Sequence, residues 1–550
     1  MTLPFDRLAQ THPDLVVVGS GPAGLPLALE YLKLRPGARV ILIEVGSWNP
    51  PKRNDLDEAI SIERPENHYR PDDSTNKCVG GTSRTWGGRC VSYDDIDFED
   101  REIVDGNCTW DRSLFREVKR HYPAAAEYLD CAPATFDLLE TLPSAPPIAA
   151  GFSSDRVFDT ALERWSLPTR LGQKYHSLLR NSPHLHVVLG CCAERFEPEP
   201  ESDRVRLVVR NAADGRTLLL PPAPTVLCCG AQESTRILLK SAQVLDRAPG
   251  VRNHLGYTYL GHVHGSIASV VFLGDPKKTE YGFRREDSGV FVRRRFQFTP
   301  DCIRSEGLLN TAIWLDNPPY WDPSHRNGTL SAIYLLMRMP ILGSRLAPSS
   351  VAESVTGGQT TSVSGHLRNV LAGLPRSVFE PASIGIRRYL PKRKLPGVFL
   401  PNRSNTYSLR FHAEQVPHRS NRLSLKPDGH TLSISYGYRD ADARSVIRAH
   451  QILDEELRRS GAGRVEFRCP PDRLVEEILS NSKDGIHQAG TTRMARSPEY
   501  GVVDFNLRVF GTSNAYVCSS STFPTSGQAN PTFFLTACAV RLAHWLAGRT

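Results

Sequence analysis

Three glycines near the start of the chain are spaced to hold a phosphate. Asp14 to Val18 runs into Gly19-Ser20-Gly21-Pro22-Ala23-Gly24, an apolar helical stretch follows, and a second strand, Arg39 to Ile43, ends at Glu44. Strand, glycine turn, helix, strand and terminal acid is the order a dinucleotide site requires. Gly19 lets the chain turn sharply, Gly21 leaves no side chain against a pyrophosphate, and Gly24 permits close packing of helix on strand. Phosphates in the turn through Pro22 and Ala23 sit on a helix N-terminus. Glu44 accepts from a ribose diol and repels a 2′-phosphate, which disfavours an NADP-type ligand.

Two further segments carry chemistry. Gly80-Gly81-Thr82-Ser83-Arg84-Thr85-Trp86-Gly87-Gly88 is dense in glycine, and such a loop brings backbone N–H groups against a flat, electron-rich ring such as an isoalloxazine. The C-terminal part contains His487-Gln-Ala-Gly-Thr-Thr-Arg-Met, a serine-rich turn from Cys518 to Ser521, and Asn530-Pro531-Thr532 opening a helix to Leu546. Proline at the first helical position after an Asn cap predicts a helix N-terminus, whose dipole suits the anionic pyrimidine end of a reduced flavin.

These motifs together resemble the glucose-methanol-choline (GMC) oxidoreductases. The resemblance implies FAD as cofactor, with His487 taking the hydroxyl proton of an alcohol beside the flavin and Asn530 as its partner. It also implies that the backbone at Pro531 and Thr532 contacts the pyrimidine end. Cys229-Gly230-Ala231 is similar to the family motif after the middle strand, and Leu189 to Ala193, with Cys192, to the strand facing adenine. Thr85 stands where relatives with covalent flavin carry a histidine, which implies non-covalent FAD. Ser519 stands where many members place an aspartate near the pyrophosphate.

The chemistry is coherent without the resemblance. An alcohol C–H is a poor hydride donor until its O–H is deprotonated, and an imidazole with a reference pKa of about 6.5 suits that task. An amide at Asn530 would stabilise the charge growing on the oxygen. The tail T-T-R-M followed by F-P-T-S-G-x-A-N-P-T resembles bacterial relatives that oxidise sugars and glycosides, so a sugar, glycoside or glycosylated natural product is the expected substrate class. His412, Glu414 and Gln415 are the candidate substrate contacts. Two other activities belong to the same fold: a dehydrogenase of a non-sugar alcohol that passes electrons to a quinone or protein carrier rather than O2, and a non-redox FAD lyase.

Composition narrows the alternatives. A chain of 550 residues is long enough for two or three lobes and a large buried site. Its net charge of +8 is spread over 67 basic and 59 acidic residues without the aromatic-interleaved basic patch of a nucleic-acid surface. No apolar run long enough to cross a membrane and no leader pattern is evident, so a cytoplasmic protein is expected. The twelve cysteines contain no C-x-x-C, which favours reduced thiols over a disulfide framework or a metal site.

The expected architecture is α/β: a Rossmann-like FAD domain assembled from residues 1–106, 180–262 and 480–550, with an inserted α+β substrate domain, residues 107–179 and 263–479, built on an antiparallel sheet. Strands are predicted over His184–Leu189, Val205–Val209, Leu218–Cys229, Gly289–Gln297, Thr329–Arg338 and Tyr407–Gln415, with a hairpin over Arg422–Tyr436. Residues 342–405 form a basic, Pro/Ser-rich insertion. It reads as a solvated surface segment, or more sharply as a docking patch for a membrane surface or a protein partner.

Overall fold

The structure is a computed structural model and describes residues 3–49, 59–104, 106–166, 169–339, 362–401 and 404–549. Two sheets organise it. The first is five-stranded and wholly parallel, in the spatial order Ala515–Val517, Thr225–Leu227, Leu15–Val18, Val40–Glu44, Leu185–Leu189. Its strands come from the N-terminus, the middle and the C-terminus of the chain. Every residue of Leu15–Val18 and Val40–Glu44 is buried, which is why these strands read as continuous apolar runs rather than alternating ones. The helices Gly24–Leu34 and Thr532–Arg549 pack against each other over this sheet.

The glycine turn shows why small residues stand there. Gly19 has φ of 95°, and a Cβ there would lie 2.7 Å from the Cys228 carbonyl oxygen. A Cβ on Gly24 would lie 1.9 Å from the Gly19 carbonyl oxygen, so the helix approaches its strand closer than any side chain allows.

The second sheet is eight-stranded and antiparallel. Its order is Gly463–Phe467, His262–Phe272, Thr406–Glu414, Thr311–Asp316, Phe291–Phe298, Val157–Trp165, Arg89–Cys90, with Arg284–Arg285 paired to Phe291–Phe298. Helix Asp440–Arg459 covers one face, and its Val446, Ile452, Leu453 and Leu457 join Val270, Leu409 and Phe411 in one core. Each such side chain contributes roughly 1.5–3 kcal/mol on burial. The hairpin Arg422–Leu425 with Leu432–Ser435 is present, and its second strand also pairs in parallel with Ile60–Ile62.

Two sequence expectations are corrected. The stretch Leu218–Cys229 is not one strand: Thr217–Leu219 edges a small antiparallel sheet, and Thr225–Leu227 enters the parallel one. Pro221, Pro222 and Pro224 lie between them and lack the N–H a ladder needs. Thr329–Arg338 is not a strand but most of helix Gly328–Met337, started by the Asn327 side chain accepting from the Leu330 N–H at 3.0 Å. Much of the described part of the basic insertion is helical, as Val363–Ala372 and Arg376–Tyr389, while residues 342–361, 402 and 403 lie outside the described residues. All twelve cysteines are free thiols, most of them buried.

Candidate active site

His487 and Asn530 meet. Asn530 Nδ2 lies 2.7 Å from His487 Nε2, in a pair only partly screened from solvent. His487 is carried on a turn that Asp484 builds. One carboxylate oxygen, Oδ1, accepts from the backbone N–H groups of Gly485 (2.8 Å), Ile486 (2.9 Å) and His487 itself (3.1 Å). The other, Oδ2, accepts from the His262 N–H at 2.6 Å and lies 3.6 Å from both His487 Nδ1 and His262 Nδ1. Burial alone would raise the Asp484 carboxyl, but its interactions with the His487 and His262 imidazoles outweigh it and hold the group well below the usual carboxylate range. We therefore assign the His487 proton to Nδ1, facing Asp484, which leaves Nε2 as the acceptor facing Asn530.

The antiparallel sheet supplies two more imidazoles. His262 and His412 come from neighbouring strands and stack at 4.1 Å, and their rings meet His487 edge-on at 5.0 and 5.2 Å. His412 Nδ1 lies 2.7 Å from the Gln528 carbonyl oxygen, so it carries the proton, and Nε2 is a buried acceptor with no partner. Burial lowers His262 to about 4 and His412 well below the ordinary histidine value, so both are neutral near pH 7. A nitrogen from each of the three histidines falls within 4.8 Å of the others. Two nitrogens bound to one tetrahedral zinc lie about 3.3 Å apart and aim at a common point. In the stacked pair His412 Nδ1 is already engaged by the Gln528 carbonyl, which leaves His412 Nε2 to accept from a polar ligand.

The glycine segments converge on the same end of the parallel sheet. A Cβ on Gly21 would meet nothing nearer than Gly81 Cα at 4.0 Å, and one on Gly230, φ 78°, would meet nothing within 4 Å. The Gly80 N–H donates to the Ser20 carbonyl at 3.1 Å, which lays the second glycine loop on the first. Trp86 Nε1 donates to the Thr169 carbonyl at 2.9 Å and Asn76 Nδ2 to Thr85 Oγ1 at 2.7 Å, while Thr82, Thr85 and Gly87 are exposed and Gly88 is buried. The C-terminal helix is tied to the turn by Thr536 Oγ1 donating to the Pro22 carbonyl at 3.1 Å.

Several predicted site residues have an internal job. Glu44 Oε2 accepts from Ser20 N–H (3.1 Å) and Oγ (2.6 Å), and Oε1 from the Gly46 N–H (3.0 Å), so this carboxylate also braces the glycine turn. Burial raises its carboxyl from the ordinary value. Ser519 Oγ accepts from the Ser521 N–H at 3.2 Å, Cys229 Sγ lies 3.4 Å from Ser234 Oγ, and Cys192 is half-buried on strand Cys191–Pro198. Asn530 is not a helix cap: the first helical bond, from Leu535 N–H at 2.9 Å, goes to the Pro531 carbonyl ahead of Thr532, and the Asn530 amide faces His487.

Of the three candidate substrate contacts, only His412 faces His487. Glu414 is fully buried and takes both Arg101 Nη2 contacts (2.9 and 2.8 Å) and the Asn310 N–H (2.9 Å). Gln415 spans the Gly261 N–H and the Gly437 carbonyl, both at 2.9 Å. Strand alternation puts Glu414 on the face of His412, but a buried carboxylate needs a partner and Arg101 supplies it. Asp484 and His262 escaped sequence reasoning. The one signal was an Asp-Gly three residues before His487, the mark of a side chain that caps its own turn.

The residues fit FAD: an open glycine cradle, an exposed glycine loop, and buried Asn530 Oδ1 and His412 Nε2 without hydrogen-bond partners. Comparison with known proteins agrees. Residues 417–539 match the GMC oxidoreductase family profile for the C-terminal region. Along 97% of the chain and 91% of the relative, the sequence is 24% identical to paromamine 6'-oxidase of Streptomyces fradiae. A segment of 83 residues, 15% of each chain, is 35% identical to cholesterol oxidase of Acinetobacter baumannii. An FAD-dependent oxidoreductase of Chaetomium thermophilum shares the fold, with TM-score 0.51 and 14% identity over 98% of this chain and 99% of that one. Residues 417–539 thus match the C-terminal region of the GMC oxidoreductases, and the chain as a whole shares the fold of the Chaetomium protein.

Proposed function

We propose that the protein binds FAD non-covalently and oxidises an alcohol of a sugar, glycoside or glycosylated natural product to the carbonyl. The observation that carries this reading is the His487–Asn530 pair, 2.7 Å apart, held over Asp484. The similarity to a paromamine 6'-oxidase supports the glycoside class. In this reading the FAD lobe comprises residues 1–106, 180–262 and 480–550. Gly21, Pro22, Ala23, Gly80, Gly81 and Gly230 would line the dinucleotide, and the backbone at Pro531 and Thr532 would meet the flavin's pyrimidine end.

When bound, FAD supplies the two-electron acceptor for the hydride leaving the alcohol carbon. The chain's own residues do the rest. Asn530 Nδ2 and His487 Nε2 together bind the substrate hydroxyl, the amide as donor to oxygen and the imidazole as acceptor of its proton. As that proton arrives at Nε2, the Asp484 carboxylate 3.6 Å from Nδ1 stabilises the cation that forms. His412 Nε2, neutral and without a partner, accepts a hydrogen bond from a second hydroxyl or amine of the substrate. His262, stacked on His412, fills the remaining wall and excludes water.

The test is the visible spectrum of the purified protein under anaerobic conditions, titrated with sugars, aminoglycosides and simple alcohols. Loss of the flavin band with one glycoside supports the reading, and readmission of air then distinguishes O2 from a quinone or protein acceptor. A flavin that no alcohol bleaches, in a protein that cleaves a C–O or C–N bond, would support the lyase activity instead.

A further inference from the structure

Helices Val363–Ala372 and Arg376–Tyr389 are built inside out. Their inward side chains make polar bonds: His366 Nδ1 lies 3.0 Å from Ser331 Oγ, Asn369 Nδ2 donates to Ser331 Oγ at 3.1 Å, and Ser377 Oγ donates to the Val370 carbonyl at 2.7 Å. Glu380, exposed beside them, accepts from Thr329 Oγ1 at 2.6 Å. Large apolar side chains stand outward among the polar ones. Eight of the seventeen large exposed hydrophobic residues among the described residues lie between Val363 and Leu390, including Leu371 at 68%, Phe379 at 70% and Leu390 at 77% exposure. A surface helix of a soluble protein shows the opposite arrangement, and exposed apolar patches of this kind mark interaction sites.

The spacing makes an apolar stripe along each helix. Val363, Leu367, Leu371 and Leu374 recur at three- and four-residue intervals along the first helix and its end, and Val378, Ala382, Ile386 and Leu390 repeat every four residues along the second. Charge borders it. From Val363 to Lys394 the sequence carries seven Arg and Lys against one acid, Glu380, and Arg368, Arg376, Arg387 and Lys392 are exposed. An apolar stripe flanked by cations is the chemistry of a helix lying in the headgroup region of an anionic bilayer. A second copy of this chain would bring like charges face to face. No described helix is long and apolar enough to cross a membrane, so the contact is with one leaflet.

We propose that this helical pair is a monotopic docking surface for anionic lipid, with the apolar face entering the acyl boundary and the arginines meeting headgroup phosphates. The proposal stands apart from the assignment of substrate. It is tested by co-sedimentation of the full-length flavin-loaded protein with vesicles of phosphatidylcholine alone and of phosphatidylcholine mixed with phosphatidylglycerol. Binding is expected to be at least about tenfold stronger on the anionic vesicles and to weaken with salt. Each of Arg376→Gln and Arg387→Gln should lower it about fivefold. Leu371→Ser with Phe379→Ser should abolish it while leaving flavin content and melting temperature unchanged, since both side chains are exposed. Equal weak binding to both vesicles, or binding that these substitutions leave intact, would overturn the proposal. A dimer in sedimentation velocity that Leu371→Ser with Phe379→Ser dissociates, with no vesicle binding, would overturn it in favour of a second copy.

Discussion

Asp484→Asn separates positioning of the base from every other feature of the site. The carboxylate lies 3.6 Å from His487 Nδ1, and at an effective dielectric of about 20 a full charge at that distance is worth on the order of 4–5 kcal/mol to an imidazolium. Asparagine removes the charge and turns an N–H donor group towards either the His262 N–H or the backbone donors at Gly485, Ile486 and His487. Removing the carboxylate that orients a catalytic imidazole costs up to ~10⁴ in rate in serine hydrolases. We expect kcat/KM to fall about 10³-fold, with flavin content retained because Asp484 touches neither glycine segment. The assay is anaerobic stopped-flow reduction by the best substrate across pH 6 to 10. A merely structural role would lower the melting temperature but leave the rate per folded flavin intact. A rate within about threefold of the native protein, with flavin bound, would refute the proposed role of Asp484.

Gly21→Ala and Gly24→Ala should fail differently: the first leaves the fold intact and abolishes FAD retention, because its Cβ enters open space, while the second drives a Cβ to 1.9 Å from the Gly19 carbonyl and costs 3 kcal/mol or more, ~3 kcal/mol being the scale of overpacking, read by thermal melting. Burial depresses His262 and His450 to about 4 and holds His412 well below its ordinary value. Their folded values lie below the unfolded value of about 6.5, so stability is full above that pH and falls as the pH drops towards 4, with about three protons taken up on unfolding, measured as the pH dependence of denaturant midpoints. Arg101→Met leaves Glu414 buried without its cation and should cost about 3–5 kcal/mol, which denaturant titration will show.

Much of the phosphate end was legible because backbone geometry there dictates residue type: only glycine fits at Gly19 and Gly24, and the strand, turn and helix around them follow in sequence. The hairpin at Arg422–Ser435 was legible from its turn residues. Thr329–Arg338 was misread because a short apolar run of Leu, Ile and Tyr suits a strand or a buried helix equally, and the Asn327 cap that decides between them sits just outside it. Thr225–Leu227 merges with Leu218–Leu220 into one apolar run that only Pro221, Pro222 and Pro224 divide. In the site, His487 and Asn530 stand in recognisable motifs, but His262 is brought to them only by the pairing of its strand with Thr406–Glu414. Glu414 looked like a pocket residue because alternation fixes a face, not a partner. The apolar outer face of the two insertion helices was hidden because a Pro- and Ser-rich composition reads as loop.

The most direct test of the central claim is the rate at which a glycoside bleaches the flavin under anaerobic conditions, compared between the native protein, His487→Ala and Asn530→Ala, with deuterium at the carbinol carbon. The account predicts a rate at least about 10²-fold lower in His487→Ala with flavin still bound, a smaller loss in Asn530→Ala, and slower bleaching of the deuterated substrate. Bleaching that proceeds equally fast without the His487 imidazole would contradict it.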